Sequence, residues 1–156
     1  MSNTLIQIAL LANVVSTLFM VGLIWFVQVV HYPLFALANR DAFADYHAAH
    51  TTATTRVVTL LMTVEALTAL VLAWSPPVPE LAPVIWIALA LVVVLWLSTV
   101  TLQIPSHRSL GTGFDPLAHK SLVRWNWIRT VAWTARGALL MYVLWRTLAG
   151  GLGHGS

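Results

Sequence analysis

Between Leu5 and Val30 the chain carries no charged side chain, and only Gln7, Asn13, Ser16, Thr17 and Gln28 interrupt its apolar run. A second uncharged run extends from Leu81 to Gln103. Each is long enough to cross a bilayer as a helix, which takes about 20 apolar residues. In water, two such cylinders would expose more apolar surface than a domain of this size could cover. The rest of the composition agrees, with 59% hydrophobic and 8% charged residues among 156, against roughly 25% charged in a soluble domain. The absence of cysteine excludes a disulfide framework, a thiolate metal site and a thiol nucleophile. The net charge of +3 comes from basic residues scattered singly, which speaks against a nucleic-acid surface and for membrane topology.

Two further stretches complete the set. Val57 to Trp74 is apolar except for Thr59, Thr63, Glu65 and Thr68, and a run from Val123 to Leu144 carries Arg124, Arg129 and Arg136. The expected fold class is therefore all-α, an integral membrane four-helix bundle forming one domain over residues 1–156, with both termini on the same side. Its spans are expected at about 5–30, 57–74, 81–104 and 123–144. The first run lacks the basic flank and small-residue cleavage site of a removed signal peptide. Pro33 is expected to close the first span, and Pro105 to end or kink the third. Residues 34–55 read as a short interfacial helix leading into the second span. Ser75 to Glu80, with three prolines, reads as a stiff loop, and Asp115-Pro116 as the cap and first residue of the last helix. The glycine-rich tail 149–156 is expected to be disordered.

Basic residues orient this bundle. The first and third connections, with the helix ends beside them, hold Arg40, Arg56, Arg108, Lys120 and Arg124, whereas the opposite side has only Arg146. Basic residues favour the cytoplasmic side, so those connections are expected in the cytoplasm and the termini outside, in a bacterial-type inner (plasma) membrane. The same topology gathers His31, His47, His50, His107 and His119 at the cytoplasmic end. His47 and His50 share a helix face, and Gln28 with His31, Gln103 with His107 and Asn126 with Arg129 have helical spacing.

Converging imidazoles suit a borderline metal such as iron, copper or zinc. His31, His47, His50 and His107 are the expected ligands, with Asp45, Gln103 and Asn126 completing or supporting them. A haem between two histidines is the alternative, and interfacial histidines without a ligand are the bland one. Glu65 lies within an apolar span, where a lone charge costs at least ~2.5 kcal/mol, and helix counting brings it level with Arg129 or Arg136. It is a candidate general base or proton carrier, with the arginines holding an anionic group; the alternative is that the pair fixes helix packing. Gln103, Thr130 and Trp133 are expected to extend this polar centre. Ser98, Thr99 and Thr101 should bond back to their own helix.

Pro105-Ser106-His107-Arg108-Ser109-Leu110 and Asn126-Trp127-Ile128-Arg129 resemble the proline-polar-leucine and Asn-x-x-Arg elements of small four-helix membrane proteins related to anthrone oxygenases. This chain has His107 where those proteins are expected to have Asn. The resemblance implies an oxygen-dependent oxidation of a phenolic or polycyclic substrate, and site roles for Pro105, His107, Asn126 and Arg129. Three functions follow as candidates. They are a membrane-embedded metal-dependent oxidoreductase for a lipophilic small molecule, a haem- or quinone-binding electron carrier, and a non-enzymatic membrane module or small transporter subunit. The expected partners are the lipid bilayer and a lipophilic substrate, with no nucleic acid; so small a unit is also a candidate for self-association.

Overall fold

The computed structural model describes residues 1–152, with side chains through residue 150. Among them the structure is helical throughout, without strands, and four long helices dominate. The first, α1, spans Asn3–Phe26, and Ser2 caps it by accepting a hydrogen bond from the Leu5 amide at 3.4 Å. Pro33 does not stop it. A proline lacks the N–H of the helical ladder and its ring collides with the carbonyl four residues back. Here the backbone widens into a π turn over Val27–His31, closed by the Tyr32 amide on the Val27 carbonyl, and then continues helically through Tyr32–Leu34 and Phe35–Leu37.

The second long helix, α2, runs unbroken over Phe43–Trp74, so the expected interfacial segment and second span are one element. After the proline loop, α3 covers Ala82–Ser98. Before Pro105 the device of the first helix recurs: a π turn over Thr99–Gln103, closed by the Ile104 amide on the Thr99 carbonyl, leads into a short helix Ile104–Leu110. Pro105 thus redirects this helix without ending it, which puts His107 about one turn further on. The last helix, α4, runs over Pro116–Leu152, with the Asp115 carboxylate accepting from the Leu117 amide at 2.8 Å. It carries helix into Ala149–Leu152, part of the tail expected to be disordered, because the preceding turns template the backbone. The remainder of that tail lies outside the described residues.

Three helical segments, Asn3–Leu37, Phe43–Trp74 and Pro79–Leu110, are long and apolar enough to cross a membrane. The expected fourth span falls short of that measure because α4 carries Arg124, Arg129 and Arg136. Three stacked clusters hold the bundle. One joins the start of α1, the end of α2, the start of α3 and the end of α4 through Leu10, Leu72, Ile85 and Val143. A central one contains Met20, Ile24, Met62, Leu95 and Trp133. The third, at the opposite end, contains Val27, Tyr32, Phe35, Phe43, Leu110 and Leu122. Large apolar side chains also face outward along every helix, among them Val15, Phe19, Leu60, Leu97 and Val131.

Candidate functional site

The two π turns and the start of α2 carry the histidines to one place. His31 is the last residue of the first π turn, His47 and His50 lie one turn apart on α2, and His107 sits one turn past the second. His31 Nε2 lies 2.9 Å from His50 Nδ1, and His47 Nε2 lies 3.1 Å from His107 Nδ1. His50 links the two pairs, its ring centroid 5.9 Å from that of His107 and 6.4 Å from that of His47. Phe35, fully buried, packs edge-on against His31, His47 and His50 with centroids 5.0 to 6.1 Å away. His47 also stacks on Phe43 at 5.8 Å.

In each His–His contact one ring donates and the other accepts through a bare nitrogen, so a neutral tautomer is required. That bare nitrogen is also the atom that binds a metal. Among the described residues, however, no three His or carboxylate side chains converge on a common point as an ion would need. The expected four-ligand centre is instead two hydrogen-bonded pairs. The spacings of 2.9 and 3.1 Å are those of the hydrogen bonds themselves and join the nitrogens two by two; holding an ion would require the rings to turn from each other toward one point. Asp45 is exposed and stays outside the cluster. His119 is turned away as well, its Nε2 2.7 Å from the Tyr32 carbonyl and its ring against Phe114.

Behind the imidazoles lies a chain of buried polar groups. The Tyr32 hydroxyl is 3.0 Å from His107 Nε2, and Arg129 Nη2 approaches the same hydroxyl at 3.5 Å. Arg129 also donates to Asn126 Oδ1 through Nε and Nη2, and Asn126 Nδ2 donates to Gln28 Oε1 at 2.8 Å. Gln28 in turn donates to the Val123 carbonyl at 3.3 Å. The π turn explains why Gln28 faces α4 while His31 faces α2, where plain helical spacing would give them one face.

A cavity of about 500 Å³ opens beside this cluster and falls in the size range of small-molecule sites. His50, His107, Tyr32, Arg129 and Gln103 line its polar end, and Met20, Leu23, Ile24, Val58 and Met62 its apolar walls. Its lining from α1 and α4 is largely buried, whereas Thr55, Thr59, Trp96, Val100 and Ile104 are exposed, so it opens sideways between α2 and α3. Thr99, like Ser98 and Thr101, bonds back to its own helix as expected.

Glu65 lies elsewhere. Its carboxylate accepts from Arg136 Nη1 at 2.9 Å, from the Thr17 hydroxyl at 2.6 Å and from Trp133 Nε1 at 3.0 Å. Arg136, fully buried, also donates to the Ala88 carbonyl, to Asn13 Oδ1 and to Thr17. Glu65 pairs with Arg136 and not with Arg129, and it does not line the cavity. Trp133 touches both regions, its ring on the cavity and its N–H on Glu65.

The structure therefore joins His31, His47, His50, His107, Gln103, Asn126 and Arg129 around one end of the bundle. It separates Glu65 and Arg136 from them. Sequence reasoning missed Tyr32, Gln28 in its role toward Asn126, and Asn13 with Thr17. Asn13, Thr17 and Gln28 were visible as polar interruptions of the first uncharged run. Tyr32 was signalled only by its place between His31 and Pro33. Compared with models of known families, with characterised proteins and with solved structures, the chain matches none.

Proposed function

We propose that this protein is a multi-pass membrane oxidoreductase that holds a transition metal, iron or copper, at its histidine cluster and oxidises a lipophilic molecule seated in the adjoining cavity. The observation that carries this reading is the gathering of four imidazoles from three segments at one end of the bundle, two of them, His50 and His107, in the lining of a laterally open apolar cavity. In this reading α4 crosses beside the three apolar helices. Its Arg129 and Arg136 point inward, and its outer face, with Ile128, Val131 and Met141, meets lipid. The histidine end faces the cytoplasm by its basic residues and both termini lie on the other side. The outward apolar surface supports this, since a soluble monomer rarely exposes patches beyond a few hundred Å².

A bound iron or copper ion would supply the one-electron exchange with dioxygen that an organic substrate lacks. The chain does the rest. The cavity walls exclude water and align the substrate body. Arg129 and Gln103 bind an oxygen of the substrate, with Asn126 and Gln28 fixing the guanidinium. Tyr32 Oη, bridging His107 and Arg129, holds a proton where it can pass to or from the imidazole. The resemblance to anthrone oxygenases adds a phenolic or polycyclic substrate to this proposal, on the strength of Pro105, His107, Asn126 and Arg129.

The test is elemental analysis with a visible spectrum on protein purified in mild detergent without added metal or chelator. Near-stoichiometric iron or copper, lost in His50→Ala and His107→Ala, is the expected result. A Soret band lost in the same variants would replace the ion by haem. Protein free of metal and chromophore, and unable to take up either ion on titration, would sink the oxidoreductase reading and leave a non-enzymatic membrane module.

A further inference from the structure

Gln103 is 2% exposed, and neither its amide nitrogen nor its amide oxygen has a hydrogen-bond partner. They are the only buried side-chain polar atoms so orphaned among the described residues. Leaving a polar group unpaired in the dark of a bundle costs stability, and apolar side chains of similar size would avoid that cost. Gln103 closes the second π turn and lines the cavity. Its amide therefore sits in the wall of a cavity that a partner can enter from outside the chain.

Arg129 makes the same demand from α4. It is 7% exposed and lines the same cavity, yet the one ion pair among the described residues joins Arg136 to Glu65. Its hydrogen bonds run through Nε and Nη2 to the neutral Asn126 and Tyr32, and Nη1 donates to no protein atom. The charged residues lining the cavity are Arg108 and Arg129, both cationic. A buried cation without a counter-charge is the strongest attractor such a site can offer.

We propose that the cavity is a binding site for a lipophilic carboxylate, its head held by Arg129 and Gln103 and its chain leaving between α2 and α3. The exit into lipid rests on the membrane reading above, but the site does not depend on the metal. A planar two-oxygen head suits the guanidinium of Arg129, and Gln103 in the same lining offers an amide N–H as a further donor. One buried guanidinium balances one negative charge, which favours a carboxylate over a doubly charged phosphate. The chain then lies along Met20, Ile24, Val58 and Met62 and passes exposed Val100 and Ile104 at the mouth. A ligand hydroxyl or a carried water would donate to Gln103 Oε1.

The experiment uses the full chain in detergent with chelator present, a fluorescent long-chain fatty acid as the probe, and oleate, oleyl alcohol and methyl oleate as competitors. Oleate should displace the probe at concentrations roughly tenfold or more below those of the alcohol and ester, as expected for a charge-assisted hydrogen bond. Gln103→Leu should weaken the probe by about tenfold with thermal stability equal or higher, because the native amide has no protein partner to lose. Gln103→Glu should abolish carboxylate binding and spare the alcohol. Equal displacement by all three competitors, or unchanged probe affinity in both folded Gln103 variants, would overturn the proposal. Either failure leaves the metal content of the protein untouched as a separate measurement. A metal-free protein that still prefers oleate would sink the oxidoreductase reading alone.

Discussion

Glu65→Gln isolates the buried ion pair at the centre of the bundle. In the native protein three donors from two helices converge on this carboxylate of α2: the Thr17 hydroxyl from α1, with Trp133 Nε1 and Arg136 Nη1 from α4. Gln keeps the shape but removes the charge and turns one acceptor into a donor. Whichever way the amide points, an N–H then faces another donor. Arg136, with no exposed surface, loses its counter-charge. Breaking a buried pair from one side costs about 3 to 5 kcal/mol, whereas an ordinary interhelical hydrogen bond in a membrane averages about 0.6 kcal/mol. The assay is reversible unfolding in mixed micelles with increasing denaturing detergent, run as a double-mutant cycle with Arg136→Met. Each single variant should lose about 3 kcal/mol or more, and the double variant should lose less than their sum by at least ~1 kcal/mol. Binding of a cavity probe to folded Glu65→Gln should be unchanged, because Glu65 is not part of the cavity lining. A loss below ~1 kcal/mol, or strictly additive losses, would show that the pair is not desolvated and would refute the reasoning.

Three further expectations concern the packing and the site. Asn126→Leu strips Arg129 of its carbonyl partner and leaves Gln28 Oε1 without its 2.8 Å donor, so unfolding should show a loss of about 2 to 3 kcal/mol. Tyr32→Phe deletes the hydroxyl between His107 and Arg129; if Tyr32 handles a proton, turnover should fall roughly tenfold or more while metal content stays intact, measured by oxygen uptake and elemental analysis. Gly137 faces α1, where an added Cβ would meet Val21 Cγ2 at 3.1 Å and Leu18 Cδ2 at 3.8 Å. Gly137→Ala should therefore shift stability by no more than ~1 kcal/mol, helix propensity offsetting the squeeze, and Gly137→Leu should lose about 1 to 3 kcal/mol by overpacking.

The helices were legible because absence of charge over more than twenty positions admits few structures, and because Asp115-Pro116 and the Ser75 to Glu80 prolines punctuate the chain. Convergence of His31, His47, His50 and His107 was legible too, since an antiparallel bundle returns alternate connections to one end. Helix counting left Glu65 with two arginines, Arg129 and Arg136, because axial depth says nothing about which way a side chain turns. Only the packed structure assigns Arg136. The prolines misled in one respect: Pro33 and Pro105 forbid an ordinary helical bond, but a helix can spend an extra residue and continue. Nothing in the sequence separates a kink, a stop and a π turn. The gathering of imidazoles into pairs was likewise unreadable, since spacing places rings in a region and hydrogen bonding decides which nitrogens meet. Gln103 read as a residue supporting the histidines and the polar centre; its lack of any protein partner became visible only when all its neighbours were in place.

Each π turn acts as a one-residue phase shift. A helix advances ~100° per residue, so inserting one residue into a turn swings everything beyond it by about that angle while leaving the axis nearly straight. The two shifts precede Pro33 and Pro105 at identical offsets, with Val27–His31 and Thr99–Gln103 each ending two residues before the ring. Upstream of them the helices keep the azimuth demanded by the apolar clusters. His31, at the end of its turn, and His107, beyond its own, obey a different azimuth, the one that aims them at α2. The aim of the imidazoles and the fit of the bundle are thus set by separate stretches of the same helices. Removing a single residue from Thr99–Gln103 would rotate His107 away from His47 without altering any imidazole or any contact nearer the start of α3.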